Sequence, residues 1–267
     1  MLKQNRIEKA QVAYSQKDIK ESRKAHTKSA IKKHMEKHTK EKGKYLKDVV
    51  FGASDGIVTT FAIVSGVEGA HLPNSVILLL GFAKVFADAI SMAVGNYLST
   101  KSEIEYIERE RERELWEIEH VPEGEIEEIR QIYKKKGFKG KDLEKIVKTI
   151  TSDKKIWLDT MMMQELGLTE ADKTPFTSSI ATFIAFIIAG VIPLIAFVLA
   201  LFIPELAANS FLLSIILTAV TLFIIGSLRS TVTGINKLRS GLEMLLISGL
   251  AATVAYAIGY LLSNLGI

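Results

Sequence analysis

The hydrophobic positions of this chain gather into five long runs set apart by stretches rich in charge. Residues 45–98 hold the first two runs, joined by the turn His71-Leu72-Pro73-Asn74. Each arm has roughly 22 residues, and a bilayer core of about 30 Å needs roughly 20 at 1.5 Å per residue. Three further runs follow at about residues 176–202, 211–228 and 242–262, and Pro193 is expected to kink the first of these. The pattern predicts five membrane-crossing helices.

The second run has no breaker at its inner end. From Tyr97 the chain passes through TKSEIEYIERERERELWEIEHV without Gly or Pro until Pro122, so one helix is predicted to leave the membrane and project beyond it. A second helix follows in EGEIEEIRQIYKKKG, with acids in its first turn, lysines in its last and Gly137 to close it, as the helix dipole favours. The segment KDLEKIVKTITSDKKIWLDTMMMQELG makes one helix, or two broken near Ser152, stopped by Gly167. The expected fold is an all-α membrane protein. Its five transmembrane helices carry a cytosolic metal-binding domain of three or four helices between the second and third spans. The divisions are a basic cytosolic arm at 1–44, spans one and two at 45–99, the acidic helical domain at 100–174 and spans three to five at 175–267.

Charge changes the picture by giving it a direction. Residues 1–47 carry fifteen Lys/Arg against five acids, and residues 103–128 carry twelve Glu against three Arg. The linker with Glu205 is acidic, whereas the one with Arg229, Lys237 and Arg239 is basic. With the N-terminus in the cytosol, every short loop then obeys the positive-inside rule, and the C-terminus lies on the opposite side. The basic arm has no nucleic-acid motif, so nucleic acid is not an expected partner, while anionic lipid is. No apolar signal core is visible at its start. His34 and His38 stand at i,i+4, a metal-compatible spacing, but among lysines that repel cations; a solvated helix is the expectation there. The chain has no cysteine, which excludes disulfides, zinc fingers and thiolate catalysis and leaves Asp, Glu, His and Met for any metal.

The first two spans are not purely apolar. Asp55 and Glu68 lie in the first, Lys84 and Asp88 in the second, and an ionisable group inside a span costs roughly 3 kcal/mol unless it faces a bundle interior or an ion path. Helix rise puts Asp55 and Met92 about 9 Å and about 10.5 Å from the cytosolic edge, at one level on antiparallel arms. Asp88 lies one turn deeper than Met92, and Lys84 one turn beyond that. Two readings stand side by side: a cation path, or Met92 as packing with Lys84 and Asp88 neutralising each other at i,i+4.

In the predicted insertion, Glu114 and Glu117 are i,i+3, as are Glu125 and Glu128, and Met161 and Glu165 are i,i+4 with Met162 beside them. Antiparallel packing of these faces would make a cage of carboxylates edged with thioethers, a donor set suited to Fe²⁺ or Mn²⁺ more than to Ca²⁺ or Mg²⁺. The plain alternative is a solvated acidic face partnered by Arg109, Arg111 and Arg113, with the methionines as core beside Trp157. His120, one turn from Glu117, is a further ligand in principle.

Taken together, Asp48 with Ser54-Asp55-Gly56, Ser91-Met92, the Glu-x-x-Glu pairs around Pro122 and the string from Trp157 through Asp159, Met161, Met162 and Glu165 to Leu168 resemble the vacuolar iron transporter family over residues 45–265. The resemblance implies a homodimeric exporter, not an enzyme, that exchanges cytosolic Fe²⁺, and often Mn²⁺, for protons across a plasma or vacuolar-type membrane. It has no permanently bound cofactor, since the metal is its cargo. It implies a transport path through Asp55 and Met92; the positions of Asp48, Lys84 and Asp88 in this chain make them expected along the same path. It also implies a cytosolic metal site from Glu114, Glu117, Glu125, Glu128, Met161, Met162 and Glu165. The chain departs from plant-type members, which carry Glu at the position of Lys84 and a small residue at that of Asp88. A membrane-anchored metal sensor or buffer is the rival reading; a ferritin-like oxidase would need paired Glu-x-x-His motifs, of which Glu117-x-x-His120 is a single instance.

Overall fold

A computed structural model describes residues 10, 12–14, 16–27, 44–169, 173–233 and 235–266. His34 and His38 lie outside the described residues. The chain divides into two compact units, Met1–Gly43 and Lys44–Ile267. In the first, α1 (Ile19–Ala25) starts at Asp18, whose carboxylate accepts from the backbone N–H groups of Lys20 and Glu21 at 2.9 and 3.1 Å. This is an N-cap satisfying donors that the first turn leaves free.

Every regular element among the described residues of the second unit is a helix. The unit comprises α2 (Leu46–Gly69), α3 (Asn74–His120), α4 (Pro122–Lys135), α5 (Gly140–Thr151), α6 (Lys154–Gln164), α7 (Pro175–Phe202), a 3₁₀ turn (Pro204–Asn209), α8 (Ser210–Thr233) and α9 (Lys237–Asn264). Five stretches among the described residues, α2, α3, α7, α8 with its preceding turn, and α9, are long and apolar enough to cross a membrane. α7 passes through Pro193 within one 28-residue helix. The Pro193 carbonyl accepts a 2.7 Å hydrogen bond from the Ser214 hydroxyl on α8. The last helix starts earlier than its apolar run, because Asn236 caps it by accepting from the Leu238 N–H at 2.8 Å.

α2 is the hub. It packs chiefly against α7 and α9, and α7 in turn packs on α3. In hydrocarbon there is no hydrophobic gain from helix association, so close van der Waals approach over small residues has to supply it. Gly52 faces the backbone of Thr182, where an added Cβ would come within 2.5 Å of the carbonyl oxygen, and Gly56 is pressed in the same way on the backbone of Phe186. At the other end Gly69 meets Tyr256 and Gly259 meets Gly66, again backbone to backbone. Around these crossings Ile57, Val64, Ile77, Val85, Phe186, Leu194 and Phe197 are fully or almost fully buried. Leu79, Phe86, Leu246 and Leu250 project from the outside of the helices, as side chains facing lipid do.

α3 has 47 residues, about 70 Å at 1.5 Å per residue, more than twice a bilayer core. Its distal half carries α4, α5 and α6 as a helical insert between the second and third candidate spans. The insert has its own core: Ile107 and Ile118 of α3, Ile129 of α4, Leu143, Val147 and Ile150 of α5, and Trp157, Leu158, Met161 and Met162 of α6. The break expected near Ser152 is present, and Asp153 caps α6 by accepting from the Lys155 and Ile156 N–H groups at 2.9 and 3.0 Å. Gly137 and Gly167 take positive φ, 98° and 67°, just past α4 and α6.

A side chain at Gly56 would force α2 and α7 apart. Gly56→Val is expected to destabilise by about 1–3 kcal/mol, the usual cost of overpacking, seen as a lower melting temperature in detergent. Gly249→Ala is the control, since an added Cβ there meets nothing within 4 Å.

Candidate metal centre and membrane carboxylates

The turn at Val121–Pro122 folds α4 back beside the end of α3, which is what brings the two acidic faces together. One carboxylate oxygen each from Glu114, Glu117 and Glu125 can be chosen so that all lie within 4.8 Å of one another, a span that one divalent ion can bridge. Glu114 and Glu125 are 1% and 6% exposed. The Oε2 atoms of both are buried with no hydrogen-bond partner. Since burying an unpaired carboxylate oxygen is costly, these two atoms leave an unmet demand for a cation or a proton.

Charge crowding adds to burial. Burial, helped by Glu128, Glu114, Glu117 and Glu165, pushes the Glu125 carboxyl up to about 7. Glu165, exposed at the end of α6, is pushed up to about 7 as well, by partial desolvation and by the neighbouring Glu128 and Glu114. Glu114 is raised by burial despite Arg113. Met161 and Met162 are buried in the insert core at the level where α6 meets α3, so the packing reading of these methionines is satisfied whatever else they do. His120 is exposed, stacks on Trp116 at 4.5 Å and engages the Trp116 carbonyl through Nδ1 at 2.8 Å.

The three arginines of the acidic stretch separate by role. Arg109 pairs with Glu110 at 2.9 Å, and Arg111 reaches Asp159 of α6 at 3.0 Å. Arg113 alone among them meets the cluster: Nη2 donates to Glu114 at 2.8 Å, Nη1 to Glu117 at 2.9 Å and Nε to Glu110 at 3.0 Å. The spacing i,i+4 to Glu117 and i,i−3 to Glu110 is the signal that singles it out in the sequence.

In the candidate spans, Lys84 forms an ion pair with Asp88, and its ammonium stands 5.9 Å from the centre of the Phe186 ring. Asp55 on α2 is half-buried within electrostatic reach of both. Met92 is half-buried on α3. Asp48, expected along the path, is almost fully buried in a latch: Lys173 Nζ donates to its two oxygens at 2.8 and 3.0 Å and the Ser178 hydroxyl at 3.0 Å. Beside it Asn96 donates to the Ser178 carbonyl at 3.1 Å and to the Thr182 hydroxyl at 2.6 Å, joining α3 to α7. The 125-residue separation between Asp48 and Lys173 hid this partnership from sequence reading.

Residues 46–260 match the family model described as the VIT family. The chain is 40% identical to a vacuolar iron transporter of Toxoplasma gondii over 82% of its own length and 74% of the relative's. It is 38% identical to one of Plasmodium berghei, over 82% and 83% of the two chains. It is 36% identical to vacuolar iron transporter 1 of Arabidopsis thaliana, over 81% and 85%.

The pH behaviour of the insert follows from its raised carboxyls. Folded, Glu125 and Glu165 keep protons up to about pH 7, whereas the unfolded chain releases them near 4.5. The stability they confer is complete below that lower value and is lost as pH rises through about 7. Melting of the metal-free protein in chelator is expected to fall from about pH 5 to about pH 8, with the fall reduced in Glu125→Gln. Added Mn²⁺, which displaces those protons, is expected to bind more tightly as pH rises.

Proposed function

The chain belongs to the VIT family and is a membrane protein of metal transport, and we propose that it exports Fe²⁺, with Mn²⁺ as a second cargo, from the cytosol in exchange for protons. The basic arm and the acidic insert face the cytosol and the C-terminus the opposite side, an orientation supported by the bias of Lys and Arg toward alternate loops. The membrane is a plasma or vacuolar-type one. Two copies pair about a twofold axis, each giving half of the pathway.

Capture comes first. The insert holds Glu114, Glu117 and Glu125 together, with Glu128, Glu165, Met161 and Met162 beside them, and the excess of acids over bases along 103–128 raises the local concentration of divalent cations at the inner mouth. The ion then passes to Asp55 and Met92, where a carboxylate and a thioether offer a hard and a soft donor. A proton arriving from the other side on Asp55 or Asp88 releases it, because a carboxyl cannot hold a proton and coordinate strongly at once. Lys84 keeps Asp88 neutralised between ions. Asp48, held by Lys173 and Ser178, positions the inner ends of α2 and α7 around the path.

The observation that carries transport over mere binding is the placement of Asp55, Lys84 and Asp88 inside two candidate spans and within reach of one another. A membrane-anchored sensor would have no use for charges that costly. The test is Fe²⁺ and Mn²⁺ flux into sealed proteoliposomes under an imposed pH gradient. Asp55→Asn is expected to abolish flux with an unchanged melting temperature. Glu114→Gln is expected to raise the half-saturating concentration about tenfold while leaving residual flux. Metal binding without flux in the unmodified protein would favour the sensor.

A further inference from the structure

Arg113 is placed where a cation belongs. Its guanidinium spends all three nitrogens on carboxylates of α3, and two of those, Glu114 and Glu117, belong to the trio that can close on one ion. It satisfies that trio only in part: Glu114 Oε2 and Glu125 Oε2 stay buried and unpaired. The side chain of Glu114 is 2% exposed, whereas that of Arg113 is 46% exposed, so the arginine reaches inward from the solvent side and can swing back out. Its third partner, Glu110, lies one turn back toward the membrane and outside the trio. Arg109 also pairs with Glu110, and the two guanidinium groups hold the Glu110 carboxyl below its ordinary range, so this anchor stays anionic.

We propose that Arg113 is a tethered counter-ion: it occupies Glu114 and Glu117 while the cluster is empty, yields them to an arriving divalent cation, and remains parked on Glu110. The inference rests on the acidic cluster being a metal site and adds the residue that sets how firmly the site holds. A planar guanidinium carries one charge spread over three nitrogens and cannot reach every oxygen of the trio, whereas a small divalent ion can sit between all three carboxylates. The ion therefore wins, but at reduced apparent affinity, because only the fraction of clusters free of the arginine is competent to bind. If that fraction is about one tenth, the dissociation constant rises about tenfold over the intrinsic one. Such a device keeps a strongly acidic cage from retaining its cargo, since the arginine competes for the same oxygens as the ion leaves.

The experiment is calorimetric titration of Co²⁺ into the full chain in detergent near neutral pH, the cluster's isotherm being the one lost in Glu125→Gln. Arg113→Gln is expected to tighten that isotherm about tenfold. Glu110→Gln, which removes the parking place, is expected to weaken it in the native background and to have no effect once Arg113 is Gln. That non-additive pattern would not arise from a residue that only stabilises the fold, and Glu110→Gln alone still tests the idea if Arg113→Gln fails to fold. Unchanged binding in Arg113→Gln would show that the arginine does not compete, and weaker binding that it holds the carboxylates in place; either overturns the proposal. A native chain with no Co²⁺ isotherm sensitive to Glu125 would overturn the metal-site reading and this one with it.

Discussion

A carboxylate taken out of water must be met by a cation, by hydrogen-bond donors or by a proton, and the described acids wholly or partly withdrawn from water differ in which of these they receive. Asp48 has Lys173 and Ser178, and the result is a fixed latch between α2 and α7. Asp88 has Lys84 one turn away. Glu125, buried, and Glu165, exposed at the end of α6, are both crowded by Glu128 and Glu114, and they answer by holding protons to about pH 7. The buried carboxylate oxygens left without a partner among the described residues both lie in the insert, on Glu114 and Glu125. The proposed capture site is read from where that demand is unmet.

Such a cluster persists only on a rigid support. The insert supplies one through a core that runs from Ile107 and Ile118 to Trp157 and Met161, so the acidic faces of α3 and α4 cannot relax apart to regain water. Below it, glycines bring helix backbones into direct contact where hydrocarbon offers no hydrophobic drive. Because α3 is one unbroken helix from Asn74 to His120, the side chains of Lys84, Asp88 and Met92 and those of Glu114 and Glu117 ride on one rod. The acidic cluster and the charged residues of the second candidate span are thereby joined through a single element.

Much of this was legible in the sequence, for physical reasons that differ by residue. The apolar runs announced the spans because length and hydropathy are local properties. Of the i,i+3 pairs on either side of Pro122, Glu114, Glu117 and Glu125 converge, because one turn decides which faces meet. Helix ends were less legible: α9 starts at Lys237, inside a charged stretch, because the cap of Asn236 decides it and not hydropathy. Asp48 read as a path residue, but its partner Lys173 is far along the chain and nothing local pairs them. Met161 and Met162 read as ligands or as core, and burial shows the core role directly. Of three arginines offered as partners, geometry chose Arg113, a distinction its spacing from Glu110 and Glu117 already held.

The most direct measurement is anomalous diffraction from crystals of the full chain loaded with Co²⁺. The account predicts a peak between the carboxylates of Glu114, Glu117 and Glu125 on the ends of α3 and α4, with Arg113 turned away from Glu114. A loaded crystal with no peak there, and Arg113 still bound to Glu114 and Glu117, would contradict it.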